Sequence, residues 1–337
     1  MDLNRLSTED LLQVRFCDLP ITLSGAVVEH RAKRVFSELA ERGLAVEPSI
    51  WLSEEWFNPD GVNGFAIPFY LVHPRLIRLE RKLMLEAEGV TEKECMRILR
   101  HETGHAIDEA FQLFRTPQYR RVFGSPRQRY PTSYAVQPQS RDHVLHLNAW
   151  YAQAHPVEDF AETFAVWLRP KHLWRRQYRN WPALAKLEAV DSWMREWAGR
   201  PPVIDNRTPA GMLSANRRTL ADHYREKRAF YGVGSSTRFD TALRKIFRSP
   251  ATLESRVPGR SAVGVLRVVR TPLRKEVARP LGVPAYAVDQ VLRQLIQRAK
   301  ALNLRHTRQT DDVIKDLVRL VSRTTVDLIK TSPRLPL

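Results

Sequence analysis

Residues 100–110 read RHETGHAIDEA, with His101 and His105 four residues apart and Glu102 directly after the first histidine. On an α-helix, residues i and i+4 stand about one turn apart and about 40° apart around the axis, so two imidazoles can grip one ion. Glu102, offset by about 100° from His101, can take a proton from an attacking water without being a ligand, the division of labour in an HExxH hydrolase. So few fixed positions also arise by chance, and the pattern therefore needs a third ligand. Catalytic zinc commonly keeps three protein ligands and leaves one place for water. A third histidine six residues after His105 is excluded, because that position is Phe111.

The other common solution is a carboxylate from a second helix. HPVEDFAETFAVWL (155–168) offers Glu158, Asp159 and Glu162 at helical spacing, with Phe160, Ala161, Phe164, Ala165 and Leu168 to hold the helix in a core. Glu158 follows His105 by 53 residues, enough chain to leave one helix and return on another. Glu162, one turn further on, can accept the remaining ring N–H of a ligand histidine. A solvated acidic face is the plainer reading of the same residues. Asp108, two turns after His101, either orients a ligand histidine or faces solvent. His155 either touches substrate or caps the second helix, and His143 and His146 read as packing or surface histidines. Tyr130 and Tyr134 lie in a Pro-rich loop that could border a cleft and are the alternatives to Tyr151 as a phenol at the site.

These residues need elements to position them. Thr91 and Glu94 have the spacing of a capping box, and Ile98, Ala106 and Phe111 continue as a helical stripe. Gly104 offers a place where another segment can approach closely, at a cost of about 1 kcal/mol in helix propensity relative to Ala. Upstream, aromatic and β-branched clusters around Trp51 and from Phe65 to Val72 read as strands, separated by NPDG turn chemistry, the second ending near His73-Pro74.

The 337 residues, 43% hydrophobic, can bury a core and form two domains. Cys17 and Cys95 are far apart and form no CxxC pair, so neither a disulfide framework nor a thiolate metal site is indicated. Charge is uneven: residues 1–200 hold 27 Lys+Arg against 26 Asp+Glu, whereas 201–337 hold 27 against 11, a net of +16. The change falls in AGRPPVIDNRTPAG, a turn-rich boundary between domains 1–200 and 201–337. In the second part, Val288, Val291, Leu292, Leu295, Ile296 and Ala299, then Ile314, Leu317, Val321 and Leu328, mark a helical hairpin, preceded by the Arg-rich SAVGVLRVVRTPLRKEVARP. Its charge would attract nucleic acid, an anionic membrane or an acidic protein, although no zinc-finger, RNP-like or convincing helix-turn-helix signature is evident. With no secretory signal and no long apolar run, a cytoplasmic location is expected.

IPFYLVHPRLIRLERKLMLE (67–86), RHETGHAID (100–108) and WYAQAHPVEDFAETFAVWL (150–168) together resemble the bacterial zinc-binding metallopeptidases of the gluzincin group. A more distant likeness is to the catalytic domain of the lethal-factor-type toxin protease. The resemblance implies an α+β, zincin-like metallopeptidase domain: a small mixed sheet, an active-site helix and a second ligand helix, followed by the basic, mainly helical region. It implies Zn²⁺ held by His101, His105 and Glu158, with Glu162 behind the ligands, Glu102 as general base and Tyr151 aimed at the developing oxyanion. A peptide or protein would be the substrate, paired along an edge strand at Gly64 to Val72. The alternative function is binding or regulation through the basic region, by contact with nucleic acid or an acidic protein.

Overall fold

Caps and hydrophobic spacing set the element order in the computed structural model, which describes residues 1–84, 86–131, 134, 137, 140–170, 173–230, 239–248, 259–281 and 285–331. The order is α1 (Thr8–Gln13), α2 (Val27–Glu41), β1 (Ser49–Ser53), β2 (Gly64–Pro68), α3 (Pro74–Met84), α4 (Glu92–Phe111), α5 (Pro117–Phe123), α6 (Pro156–Leu168), α7 (Trp174–Gln177), α8 (Ala183–Trp197) and α9 (Leu220–Phe230). There follow α10 (Asp240–Ile246), β3 (Arg260–Ser261), α11 (Ala262–Leu281), α12 (Ala285–Ala301), β4 (Arg305–His306) and α13 (Thr310–Thr331), with short 3₁₀ turns between several elements. The chain is mostly helical with small sheets, in keeping with the α+β expectation.

Two units are distinguished, 1–83 with 87–224, and 84–86 with 225–335. In the first, α4 starts as its capping box requires. The Thr91 hydroxyl accepts the Glu94 N–H at 3.3 Å, and the Glu94 carboxylate takes the Thr91 N–H in return. The helix ends on Gln112 in the left-handed region, φ 55°. Helix α6 opens with Pro156 in its first turn and His155 as its cap. α4 packs on α6, α2 on α4 and α8 on α6. Arg100 turns away from the metal-binding face and binds Glu38 of α2 through two 2.7 Å bonds.

The α4–α6 approach is close because position 104 is glycine. A Cβ there would stand 3.0 Å from Ala161 Cα and 3.1 Å from its carbonyl oxygen, both backbone atoms that cannot yield locally. Gly104→Ala should therefore destabilise the protein by about 1–2 kcal/mol, the overpacking outweighing the gain in helix propensity. Urea denaturation measures this, and an unchanged or raised midpoint would show that the helices are not in tight contact.

β1 and β2 pair in parallel, Ser49 opposite Gly64 through Ser53 opposite Pro68. The strand expected over Phe65 to Val72 stops at Pro68, and Phe69–Val72 is a 3₁₀ turn. Pro68 has no N–H for a ladder, and Phe69 and Tyr70 are buried by the turn without strand pairing. His73 accordingly does not end a strand; its Nδ1 accepts the Arg75 N–H at the start of α3. Nor is β2 an open edge. All five residues are buried, the Ala66 N–H donates to the Phe57 carbonyl at 2.8 Å, and Asn58 Nδ2 donates to the Gly64 carbonyl at 3.3 Å.

The first unit continues beyond residue 200 because the next segment is hydrogen-bonded along it. Val203 and Ile204 donate to Ala110 at the end of α4, Asn63 donates to Asn206, and Trp51 Nε1 and Ser53 Oγ donate to Ala210 and Gly211.

In the second unit, the face expected on α12 and α13 is buried at Val288, Val291, Leu292, Leu295, Ala299, Leu317 and Val321, with Ile296 and Ile314 partly buried; the Leu328 side chain lies outside the described residues. The Arg-rich segment is itself the helix α11, despite Pro272 and Pro280, and buries Leu266, Val269, Leu273 and Val277 in the same core. Among the described residues, no helix is long and apolar enough to cross a membrane.

Candidate metal centre

One turn of α4 brings the His101 and His105 Nε2 atoms to 3.1 Å, and one residue of α6 completes the group. Glu158 Oε2 lies 3.1 Å from His101 Nε2 and 3.3 Å from His105 Nε2. These atoms are the group among the described residues able to hold a metal ion. His101 Nδ1 is 2.9 Å from Glu162 Oε1 and donates to it in the neutral ring, which leaves Nε2 as a lone pair. Glu162 is fixed in turn, because its Oε2 accepts the Leu147 N–H at 2.7 Å.

Three electron-pair donors facing one another repel unless a cation or proton stands among them. Unless a proton or a cation stands between it and the imidazoles, Glu158 Oε2 is buried without a hydrogen bond, an orphan that a native core rarely tolerates. Donor atoms on a tetrahedron with bonds of about 2.0–2.1 Å stand about 3.3 Å apart, close to the spacing found here. Two imidazoles and a carboxylate suit zinc, and on these observations the residues fit it.

Charge follows the same geometry. Desolvation opposes a proton on His101, but Glu158 and Glu162 outweigh it and hold the ring's pKa well above the ordinary histidine value. Burial would raise Glu158, but the two imidazoles win and keep it well below the usual carboxylate range. An incoming divalent ion must therefore displace a proton from His101. Metal affinity should rise about tenfold per pH unit below the His101 pKa and level off above it, with about one proton released. Chelator competition across pH, with calorimetry in two buffers of different ionisation heat, checks this; a pH-independent affinity would contradict it.

Glu102 is buried beside the group, and its backbone carbonyl accepts Asn58 Nδ2 at 3.0 Å. Burial raises its carboxyl pKa, opposed by His101 and His105. The Tyr151 ring stands 5.6 Å from the His101 ring, centroid to centroid, on a 3₁₀ turn in which Trp150 takes the strained φ of 53°. Burial, then nearby Glu158, Tyr130 and Glu102, keeps the Tyr151 phenol protonated, well above its ordinary pKa.

Tyr130, read from the sequence as a cleft-bordering alternative to Tyr151, donates its hydroxyl to Glu158 Oε1 at 2.8 Å. It stacks on His155, 3.8 Å between centroids and 14° between planes. His155 caps α6: Nδ1 accepts the Val157 N–H at 3.2 Å while Nε2 donates to the Gln128 carbonyl at 2.7 Å. Neither Tyr130 nor Asn58 has a spacing signal, since each arrives from a loop; the Pro-rich composition around Tyr130 is the one hint. Asp108 neither orients a histidine nor faces solvent. It is buried at the end of α4, accepts the Phe114 N–H at 2.8 Å and meets the Tyr119 hydroxyl. Asp159 turns to Lys186, 2.6 Å away, and burial raises its pKa to about 7. His146 bonds the Arg97 carbonyl, and His143 lies 3.8 Å from Asp159; burial lowers both to a pKa of about 4, and neither joins the metal group.

Residues 91–176 match the model of a protein family described as "Putative zinc-binding metallo-peptidase". The matched stretch runs from α4 into α7 and contains His101, Glu102, His105, Tyr151, Glu158 and Glu162. No curated protein and no solved structure matches the chain. The family match and the donor group agree on zinc as the metal.

Proposed function

We propose that the first unit is a zincin-like, gluzincin-type metallopeptidase that hydrolyses a peptide or peptide-like amide, with His101, His105 and Glu158 as metal ligands. The observation that carries this reading is the convergence of two imidazole Nε2 atoms on the orphan Oε2 of Glu158. Zinc bound there supplies a Lewis acid that acidifies water and polarises a carbonyl.

The chain's own residues do the rest. Glu102 accepts the proton of the attacking water and passes it to the leaving amine. Glu162 holds the His101 ring in one orientation through Nδ1, and Tyr130 holds Glu158 through Oε1, so the ligands are aimed before substrate arrives. Because the Tyr130 hydroxyl is engaged with Glu158, Tyr151 is the phenol assigned to the oxyanion. A donor of this sort is worth about 3 kcal/mol. Peptide pairing along β2 is not part of this reading, because Phe57 and Asn58 occupy that edge.

The test is cleavage of a peptide library by zinc-loaded full-length protein beside Glu102→Gln and Tyr151→Phe. Specific cuts that vanish in the first variant and slow about a hundredfold in the second support the assignment. Equal cleavage by wild type and Glu102→Gln would overturn it.

A further inference from the structure

In the second unit, α11 ends at Leu281 and α12 begins at Ala285, so three residues, Gly282-Val283-Pro284, connect them; their placement lies outside the described residues. With both helix ends known, a pattern emerges that composition alone does not show. Val277 and Ala278 before the connector, and Val288 and Val291 after it, are all buried in the shared core. Two packed helices with three residues between them in sequence, one of them glycine, and small or branched apolar residues on each inner face are features shared with helix-turn-helix motifs.

The outward face of α12 is a second, independent observation. Gln290, Arg293, Gln297 and Lys300 follow one another at three- and four-residue steps; Gln290 is partly buried and the others are exposed. The helix has one carboxylate, Asp289, and it is buried completely. Arg270 of α11 binds it through two bonds of 2.7 and 2.5 Å, and Arg293 adds a third at 2.9 Å. This ion cluster ties α12 to α11 and removes the helix's one negative charge from its surface, while Arg293, which engages Asp289 through Nε, keeps its side chain about half exposed. The third observation is charge: residues 225–335 carry 24 Lys+Arg against 9 Asp+Glu, a net of +15.

We propose that the second unit binds double-stranded DNA, with α12 lying in the major groove. An α-helix with its side chains is about 10–12 Å across, and the B-form major groove is about 12 Å wide. Arginine and glutamine are the side chains that pair with the outer edges of guanine and adenine, and the surrounding cations neutralise phosphates. The major groove of A-form RNA is too narrow for a helix, so the occupant is a DNA duplex. An acidic protein would answer to the charge but has no use for the glutamine and arginine ladder. The DNA site shares no residue with the metal group, so it stands or falls separately from the peptidase reading.

The experiment is fluorescence anisotropy of full-length protein with a labelled duplex of about 25 base pairs, from low to physiological salt. Two double variants with the same charge change are compared, Gln297→Glu with Lys300→Glu on α12, and Gln309→Glu with Lys315→Glu outside it, after melting curves confirm that both are folded. Expected are micromolar-range or tighter binding that weakens steeply with salt, a loss of about tenfold or more in the α12 variant, and a loss of less than threefold in the other. Glu102→Gln should bind as wild type does. Absence of DNA binding at low salt overturns the proposal, as do equal losses in the two variants, equal affinity for duplex RNA, or displacement by polyglutamate at matched charge.

Discussion

Glu102→Gln should abolish peptide cleavage, lowering kcat by about 10³–10⁴-fold while leaving metal content and fold intact, an effect at the upper end of what a positioned general base contributes. The substitution keeps side-chain volume and hydrogen-bonding shape, and it changes a group that makes no hydrogen bond to Glu158 or Glu162. What it removes is the ability to accept a proton. Burial already holds the Glu102 carboxyl above its ordinary pKa, so its carboxylate is a stronger base than an exposed glutamate, while His101 and His105 keep it from rising further. Single-turnover cleavage of an identified substrate measures the loss. A variant that retains more than about a tenth of wild-type activity would show that another group carries the proton.

Glu158→Ala should weaken zinc binding by at least about 10²–10³-fold, the share of one ligand in a site worth on the order of 10 kcal/mol or more. It deletes the anionic member of the donor group and also strands the Tyr130 hydroxyl that Glu158 Oε1 accepts. Glu158→Gln separates these effects: it retains an oxygen for Tyr130 but offers no carboxylate to the metal, so it should fold normally and still lose affinity. Competition with a zinc indicator of known affinity gives both values. If Glu158→Gln binds zinc as tightly as wild type, the third ligand is some other residue.

The parts of this site legible in the sequence are those that helix geometry converts from spacing into distance. His101 and His105 at i and i+4 had to meet, and the run Glu158, Asp159, Glu162 had to contain candidates for a carboxylate. Periodicity alone did not choose among those three acids. The choice depends on how α6 is turned about its axis, which its buried aromatic residues and the close approach at Gly104 decide. As a result Glu158 faces the histidines, Glu162 backs His101, and Asp159, about 100° further round, meets Lys186.

What arrives from loops was not legible. Tyr130 and Asn58 are placed by contacts distant in sequence, and no local pattern encodes them. Phe69–Val72 misled because aromatic and β-branched residues fit a strand or any buried turn equally well, and Pro68 had already ended the ladder. Residues 201–219 have the proline and asparagine content of a linker, yet their backbone is bonded repeatedly to the first unit. The pairing of α11 with α12 was hidden because its signal lies in which apolar positions face inward on each side of the connector, and that emerged only with the helix ends.

The most direct test of the central claim, a metal held by two helices, is elemental analysis of purified full-length protein beside a folded His101→Ala variant, each dialysed against metal-free buffer near pH 7.5. About one zinc per chain is expected in the wild type and none in the variant. Folded wild type that retains no zinc after incubation with excess zinc followed by dialysis, or a His101→Ala protein that keeps its zinc, would contradict it.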